Sequence, residues 1–429
     1  CHTCHNGPNG PCPALNDGQT SWARGRHGAP PADARQLRLV RTRPLATEVD
    51  CRLGASGGDG EGARGGGVMG QGYLSRRQFL AHGGRLALGV AGVAGLPGLA
   101  SATASRDVVS IVRIKNDKIE AAVEEAIELL GGMSALTRGK ERILLKPNLV
   151  RDEAFPTTKP EVVATLGLLM KKAGKDVSIG EGSSSIAGFN LFGREEFRTR
   201  KVSTLEPMQR HVFDRLGYTE LSRRIGVPLV NLHVGEMVTV PIPGGLAYPE
   251  VQLHRSLVDT DLLCSVPMMK THALATVTLG MKNLMGLYAG TVYGTVRSEV
   301  HNHAADLGSP GVAYEILDMV RANKLGLVVI DASKAMEGNG PVEGHIVDIG
   351  LIIAGTNPVA TDMVAASAMG FDVGEVPTFT VAHRIGMTPT RLEQIEIRGA
   401  PLHQVRQRFA RPMMATWNQI RSFLGAREL

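Results

Sequence analysis

The sequence predicts an α/β fold with a largely parallel sheet flanked by helices, organised as one domain or as two lobes. From residue 106 onward, short apolar runs alternate with segments whose apolar residues recur at helical spacing. Uninterrupted apolar runs are typical of strands buried on both faces, and strand–helix alternation favours a parallel sheet. Four runs lead into polar or ionisable residues, at residues 142–145, 176–179, 261–266 and 325–330.

The predicted elements follow one another along residues 108–424. Strands are predicted at residues 108–114, 142–145, 176–179, 227–232, 237–242, 261–266, 325–330 and 346–354. Helices are predicted at residues 119–130, 161–172 and 314–321, the first two stopping at glycines. Asn357-Pro358 predicts a further helix, because a cap residue precedes proline. Residues 412–424 are predicted to form a surface helix, and a boundary between two lobes would fall in the less regular stretch 190–250.

The first hundred residues are predicted to lie outside this α/β domain, which is assigned to residues 105–429. Residues 1–68 are rich in Gly, Arg, Ala and Pro, and are expected to be disordered or translated upstream of a start at Met69. Residues 69–104 have the order of a twin-arginine signal peptide. Ser75-Arg76-Arg77-Gln78-Phe79-Leu80 precedes an apolar stretch that is short for a membrane span, and small residues follow. An amphipathic helix is the alternative.

These features predict export by the twin-arginine machinery to the periplasm or another extracytoplasmic space, with no stable membrane span after cleavage. Cys1-His2-Thr3-Cys4-His5 matches the pattern for covalent haem, but residues ahead of a cleaved signal would be lost, so no haem is expected. Residues 105–429 contain one cysteine, Cys264, so no iron–sulfur cluster is expected. Their 36 Lys and Arg against 35 Asp and Glu argue against nucleic acid as a partner.

The polar strand ends predict one shared site, because ligands of open α/β sheets bind outside the carboxyl ends of the strands. Lys270 and His272 follow a buried-strand pattern, and Lys282 lies in an otherwise apolar segment. Lysine and histidine at such positions bind anions or act as acid and base once burial shifts their pKa values. Because a lysine is rarely buried without a partner, Lys282 needs an anionic neighbour. Asp331 and Glu337 are the candidates. Lys270, His272, Lys282 and Asp331 are the predicted catalytic group; a solvated loop is the alternative for the first two.

Seven further residues are predicted to bind the ligand or orient the lysines: Lys146, Asn148, Glu181, Asn283, Glu337, Asn339 and Asp362. The oxygens in the loop after Asp331 also suit a divalent cation. A β-turn at Asn339-Gly340 and a helix-dipole role for Asp362 are the alternatives. His301 and His303 are a candidate metal pair if their segment is extended, because residues i and i+2 share a face only on a strand. Polar loop histidines are the other interpretation.

Several of these stretches together resemble a family catalogued as domain of unknown function 362. The resemblance spans most of residues 108–370. The stretches are Lys146-Pro147-Asn148, Lys270-Thr271-His272, Lys282-Asn283-Leu284-Met285-Gly286, Asp331, Glu337-Gly338-Asn339-Gly340-Pro341 and Asn357-Pro358-Val359-Ala360-Thr361-Asp362. The resemblance implies an α/β fold and, in many members, either a ferredoxin-like iron–sulfur module or a twin-arginine signal. This chain resembles the second kind, and the resemblance carries no general activity.

The leading hypothesis is an exported enzyme that acts on a small anionic substrate. Lys146, Lys270 and Lys282 would neutralise charge, His272 would be acid or base, and Asp331 with Glu337 would hold a cation or orient the lysines. The alternative is a non-catalytic periplasmic protein that binds an anion or a metal, or assists a redox partner. A scaffold role ranks third, because no structural role requires so many charged residues at strand ends.

Overall fold

The computed structural model describes residues 106–425, which all belong to one compact unit. The predictions for residues 1–68, for the signal peptide at residues 69–104 and for the haem motif lie outside these residues. Among the described helices, none is both long enough and apolar enough to cross a membrane.

Thirteen strands are described, eleven of them in one sheet. They are β1 (Asp107–Arg113), β2 (Arg142–Pro147), β3 (Asp176–Glu181), β4 (Leu229–Asn231), β5 (Met237–Pro241), β6 (Glu250–His254), β7 (Leu262–Val266), β8 (Met268–His272), β9 (Thr276–Thr278), β10 (Leu325–Asn339), β11 (Glu343–Val347), β12 (Leu351–Gly355) and β13 (Ile395–Gly399). The main order is β13-β1-β12-β10-β7-β2-β3-β4, and β5 with β6 forms a separate hairpin.

The strands from β10 through β7, β2 and β3 to β4 pair in parallel. Only β12 interrupts the main order, being antiparallel to both β1 and β10. Beyond the end of β7, β8 pairs in parallel with the distal half of β10, and β9 and β11 add antiparallel hairpins. The predicted α/β class with a largely parallel sheet is confirmed.

Helices cover both faces of this sheet. They are α1 (Ile119–Leu129), α2 (Met133–Leu136), α3 (Pro160–Lys172), α4 (Val202–Arg215), α5 (Tyr218–Ile225), α6 (Arg255–Asp259), α7 (Gly290–Tyr293), α8 (Ser298–Leu307), α9 (Ala313–Ala322), α10 (Pro358–Ala368), α11 (Pro377–Arg384), α12 (Leu402–Val405) and α13 (Trp417–Gly425). Leu144 lies in the core of one face and Leu145 in that of the other, because successive side chains of a strand point to opposite faces. The strands therefore need apolar residues on both sides, which explains their predominantly apolar runs.

Three predicted elements differ from the structure. The strand predicted at residues 346–354 is two strands, β11 and β12, separated by a turn in which Gly350 has φ +64°. The loop predicted after Asp331 is instead the distal half of β10, where Glu337 pairs with His345 of β11. β8 and β11 pair with residues up to Asn339, and a turn at residues 340–342 joins β10 to β11, so the turn expected at Asn339-Gly340 lies at the end of this strand. The final helix begins at Trp417, and residues 406–416 have no regular structure.

Candidate active site

A cavity of about 440 Å³ lies beyond the carboxyl ends of β2 and β3 and beside β8. Its lining includes five cationic side chains, from Lys146, Arg151, Lys270, Lys282 and Arg297. The carboxylates in the lining belong to Glu181 and to Glu343, which is exposed. The cavity thus gathers the lysines from three separate parts of the chain and carries an excess of positive charge.

Lys146 forms the one buried ion pair of the cavity lining within the described residues. Its Nζ lies 2.6 Å from Oε1 of Glu181 and also donates to the carbonyl of Pro147 at 3.0 Å. Glu181 accepts two further hydrogen bonds, from the backbone N–H groups of Gly182 and Leu149. Burial lowers the pKa of Lys146, whereas the adjacent Glu181 charge opposes that shift. Glu181 therefore satisfies Lys146 rather than facing the cavity as a free anion.

Two asparagines extend this network. Asn283 donates from Nδ2 to the carbonyl of Lys146 at 3.0 Å and to Ser265 Oγ at 3.1 Å, and its Oδ1 accepts from Asn148 Nδ2 at 3.1 Å. The Oδ1 atom of Asn148 is buried and lacks a hydrogen-bond partner within residues 106–425. Because buried polar atoms are nearly always paired, Asn148 has spare capacity to accept a hydrogen bond.

Lys270 and Lys282 differ from Lys146 because neither has a carboxylate partner in the described part of the chain. Lys270 is 1% exposed, and its Nζ donates to the carbonyl of Pro156 at 2.9 Å. Lys282 is half-buried and makes no hydrogen bond or ion pair to any residue between 106 and 425. Burial lowers the pKa of each lysine to about 7, and nearby cations add to the effect. Both amines are therefore close to half-protonated at neutral pH.

His272 is held as a neutral ring. Its Nδ1 accepts hydrogen bonds from the backbone N–H groups of Leu274 at 3.0 Å and Ala275 at 3.3 Å. Burial and the charges of Lys282 and Lys270 lower the pKa of His272 well below its usual value. Since Nδ1 is an acceptor, the ring proton is on Nε2. His272 can thus donate a hydrogen bond from Nε2, but it is a weak base.

Asp362 positions the segment that carries Lys282. Its two carboxylate oxygens accept the N–H groups of Gly280 and Met281, each at 2.8 Å. The turn of 3₁₀ helix that begins at Lys282 follows directly. Burial raises the pKa of Asp362 to about 7. Asp362 does not line the cavity, so it acts on the site through the backbone that it holds.

The remaining predicted carboxylates point elsewhere. Asp331 lies on β10 opposite Met268, but its carboxylate accepts from the N–H of Lys159 at 2.9 Å and from Ser333. Glu337 accepts from the N–H of Ala410, and Asn339 accepts from the N–H of Met413. These side chains do not line the cavity. The pairing predicted between Lys282 and Asp331 or Glu337 is therefore wrong, and Glu337 and Asn339 hold the C-terminal segment.

His301 and His303 lie on helix α8, not on a strand. A helix turns by about 200° over two residues, so the two rings face different directions. His301 lines the cavity and its Nδ1 lies 2.8 Å from the carbonyl of Arg297, whereas His303 stacks on Tyr248 at 4.5 Å. The expected shared face is absent. In residues 106–425 no group of three or more His, Cys, Asp or Glu side chains is arranged to hold a metal ion.

Two arginines of the cavity had no signal in the sequence. Arg151 follows β2 by four residues, and its buried Nε has no hydrogen-bond partner among the described residues. Arg297 is buried and donates to four carbonyls, including those of Ser183 at 2.9 Å and Met285 at 3.1 Å. Arg297 therefore ties the end of β3 to the Lys282 segment, while Arg151 remains available to a ligand.

The lining of the cavity also contains apolar and aromatic side chains. Phe192 stacks on Phe423 of α13 with ring centroids 4.7 Å apart, and Phe197 contacts both rings edge-on. Leu274 and Met285 add aliphatic surface. The lining thus combines cationic and apolar side chains, which is the combination expected for a molecule with an anionic group and an apolar part.

The family model described as domain of unknown function, DUF362, matches residues 143–367, more than half of the chain. The chain belongs to this family. The match includes β2, β8, the Lys282 segment, β10 and the first ten residues of α10, and therefore most of the residues that form the cavity. The resemblance noted from the sequence motifs is confirmed.

One protein is similar to this chain in sequence and two solved structures are similar to it in part. The thylakoid-associated protein sll1697 of Synechocystis sp. is 28% identical over 276 residues, which are 64% of this chain and 77% of the relative. The lactate racemase apoprotein from Thermoanaerobacterium thermosaccharolyticum is 14% identical with a TM-score of 0.36, over 61% of this chain and 57% of that one. A protein from Thermotoga maritima is 15% identical with a TM-score of 0.31, over 57% and 56%. The chain thus spans just over half of each solved structure.

Proposed function

We propose that the cavity binds a small organic anion with an apolar part, and that the protein is an enzyme that transfers a proton on this molecule. The observation that carries the proposal is that four of the five cations in the lining have no carboxylate partner in the described chain. Arg297 is satisfied by carbonyl groups, which leaves Arg151, Lys270 and Lys282 to face a ligand. An unpaired buried charge costs several kcal/mol, and an anionic ligand offsets that cost. The apolar wall around Phe192 and Phe423 suits the remainder of the ligand.

The proton-transfer role is supported by the lysines rather than by the histidine. A group whose pKa lies close to the working pH both accepts and donates protons effectively, and the pKa values of Lys270 and Lys282 are about 7. His272 is neutral and presents Nε2–H, so it suits the stabilisation of a developing negative charge on a substrate oxygen. In this proposal the acid and base role that the sequence suggested for His272 belongs to Lys270 and Lys282, and His272 acts as a hydrogen-bond donor.

The second candidate function is non-catalytic binding of the same anion. An enzyme and a binding protein would both bind the anion, but only the enzyme would convert it chemically. Incubation of the full chain with 4-methyl-2-oxopentanoate in deuterium oxide tests turnover, since an enzyme would exchange the hydrogens next to the carbonyl faster than buffer does. Binding without such exchange for this acid, or for others of similar size, would favour the binding protein.

Binding itself is tested with 4-methylpentanoate, which carries a carboxylate and a branched apolar tail. We expect it to raise the unfolding temperature of the full chain, whereas the uncharged 4-methylpentanamide should not. Ligand at a hundredfold excess over Kd stabilises a protein by about 2.7 kcal/mol. The matched control is Lys334→Met, because Lys334 is exposed, does not line the cavity and pairs with Asp348. Equal stabilisation by acid and amide would contradict an anion site.

Export by the twin-arginine pathway to an extracytoplasmic space is part of the same proposal. It rests on Ser75-Arg76-Arg77-Gln78-Phe79-Leu80 and the apolar and small residues that follow. The thylakoid association named for the Synechocystis relative is compatible with a position outside the cytoplasm or at a membrane. Fractionation of cells that express the full chain tests it, and mature protein found only in the cytoplasm would contradict it.

A further inference from the structure

We propose that Lys282 is the amine that condenses with a carbonyl group, and that the ligand class is therefore an oxo acid with an apolar side chain. This inference rests on the proposed function, because the carboxylate of the oxo acid is the anion that the cavity would hold. It adds a covalent step and a named nucleophile. The inference is supported by the different contacts that the three lysines of the lining make.

Lys282 is the only one of these lysines that is not committed to the protein within the described residues. Lys146 is bound by Glu181, and Lys270 donates to the carbonyl of Pro156. Lys282 makes neither kind of contact, yet its side chain lines the cavity. A ligand in the cavity therefore meets a free amine at Lys282, whereas the other two amines would have to leave their partners.

The surroundings of Lys282 favour a neutral amine, which is the nucleophilic form. Burial and the charges of Arg297 and Lys146 lower its pKa to about 7. The charge of Lys282 in turn lowers the pKa values of Lys270, His272 and His301, so Lys282 lies among these groups. A lysine made nucleophilic by burial and by neighbouring cations is a known way of activating an amine.

The backbone around Lys282 is firmly held. Asp362 accepts the two N–H groups that precede the lysine, at Gly280 and Met281. Gly286 closes the segment against the Lys146–Glu181 pair, since a Cβ on Gly286 would lie 2.6 Å from Lys146 Nζ. The amine is therefore presented on a fixed element, which lowers the entropic cost of bringing it to a reacting carbon.

The chemistry balances without an oxidant or reductant. The lone pair of Lys282 Nζ attacks the carbonyl carbon, and a carbon–nitrogen bond forms. The carbonyl oxygen then leaves as water, carrying the two hydrogens that the neutral amine loses. Lys270 can supply and recover the proton needed for departure of the hydroxyl, and His272 Nε2–H can donate a hydrogen bond to that oxygen. Arg151 is suited to the carboxylate, because guanidinium groups bind carboxylates through paired hydrogen bonds.

The test is to trap the imine by reduction. The full chain is incubated with 4-methyl-2-oxopentanoate and cyanoborohydride at neutral pH, digested, and analysed by mass spectrometry. We expect one modified lysine, Lys282, whose mass increases by the mass of the acid less one oxygen atom. Its labelling should exceed that of any other lysine by at least about tenfold, because surface lysines are almost wholly protonated at this pH. Lys282→Arg should lose the adduct and Lys334→Arg should keep it.

The same experiment separates this inference from the proposed function. Stabilisation by 4-methylpentanoate measured in parallel reports anion binding without the carbonyl. If that acid stabilises the protein but no adduct forms, or the adduct is on another lysine, the Schiff-base assignment is overturned and the anion site stands. If neither acid binds, both proposals are overturned. If Lys282→Arg does not fold, loss of the adduct in Lys282→Met decides the assignment.

Discussion

Replacing Lys282 by methionine is the most informative single change, because it removes one amine and leaves a side chain of similar volume. We predict that Lys282→Met abolishes binding of 4-methylpentanoate and, unusually for a change at a buried site, raises the free energy of unfolding. The ammonium group makes no hydrogen bond or ion pair to the described residues, so its removal breaks no attractive contact. A linear apolar side chain fills the space at little packing cost.

The magnitude follows from the pKa of the lysine. The fall in the pKa of Lys282 from 10.5 to about 7 corresponds to a free-energy penalty on its charged form. At about 1.36 kcal/mol per unit, this sets an upper limit of about 4.8 kcal/mol. The side chain is only half-buried and water reaches the cavity, which reduces the penalty. We therefore expect Lys282→Met to gain about 1–3 kcal/mol at pH 7.

The pH dependence identifies the cause of this gain. The folded protein binds the Lys282 proton less tightly than the unfolded chain does, so the penalty is fully present below pH 7. It disappears as the pH rises toward 10.5, where the unfolded chain also loses the proton. The difference in unfolding free energy between Lys282→Met and the unmodified chain should therefore be largest below pH 7 and shrink above it.

Urea denaturation at several pH values measures this difference, with Lys334→Met as the matched control. Lys334 is half-exposed and lies 3.8 Å from Asp348, so its replacement should change stability by less than about 1 kcal/mol with little dependence on pH. If Lys282→Met instead destabilised the protein while 4-methylpentanoate still bound, Lys282 would belong to a structural contact. The assignment of this lysine to the ligand would then be refuted.

Three further sets of substitutions have predicted outcomes. Glu181→Gln should cost about 3–5 kcal/mol in urea denaturation, because it leaves the buried ammonium of Lys146 without its carboxylate; an unchanged stability would show that the pair is not buried. Asp362→Asn should cost about 1–3 kcal/mol, because one backbone N–H loses its acceptor. The unmodified chain should also lose stability as the pH rises from about 4 to 7, since burial raises the pKa of Asp362 to about 7; the variant should lack this decline. Replacing Arg76 and Arg77 by lysine should leave precursor in the cytoplasm, and normal fractionation of that variant would count against the twin-arginine signal.

The parts of the fold that could be predicted are those in which burial controls the sequence. β2, β3, β7 and the first part of β10 are covered on both faces, so their runs are almost wholly apolar, with Ser178 and Ser265 as the small polar exceptions. The distal half of β10 could not be recognised, because its glycines and polar residues are typical of a turn. Its extended form depends on β8 and β11, which pair with it from distant and later positions in the chain.

The same distinction applies to the site. Lysines at strand ends were recognisable, and Lys146, Lys270 and Lys282 do meet in one cavity together with His272. The carboxylates were not assignable, because their direction depends on which backbone N–H group happens to lie near. Asp331 turns to the start of α3, and Asp362 turns to the segment before Lys282. Arg151 carries no sequence signal, since its role depends on remaining unpaired in the folded chain.

Proton uptake on anion binding is the most direct test of the central claim that the lysines without a carboxylate partner bind an anion. With pKa values of about 7, Lys270 and Lys282 are mostly neutral at pH 8, and a bound carboxylate would raise the pKa of the lysine that it contacts while the other amine stays neutral. Calorimetric titration of the full chain with 4-methylpentanoate at pH 8, in buffers of different ionisation enthalpy, should show uptake of about one proton. Binding with no proton uptake, or no binding of the acid at all, would contradict the claim.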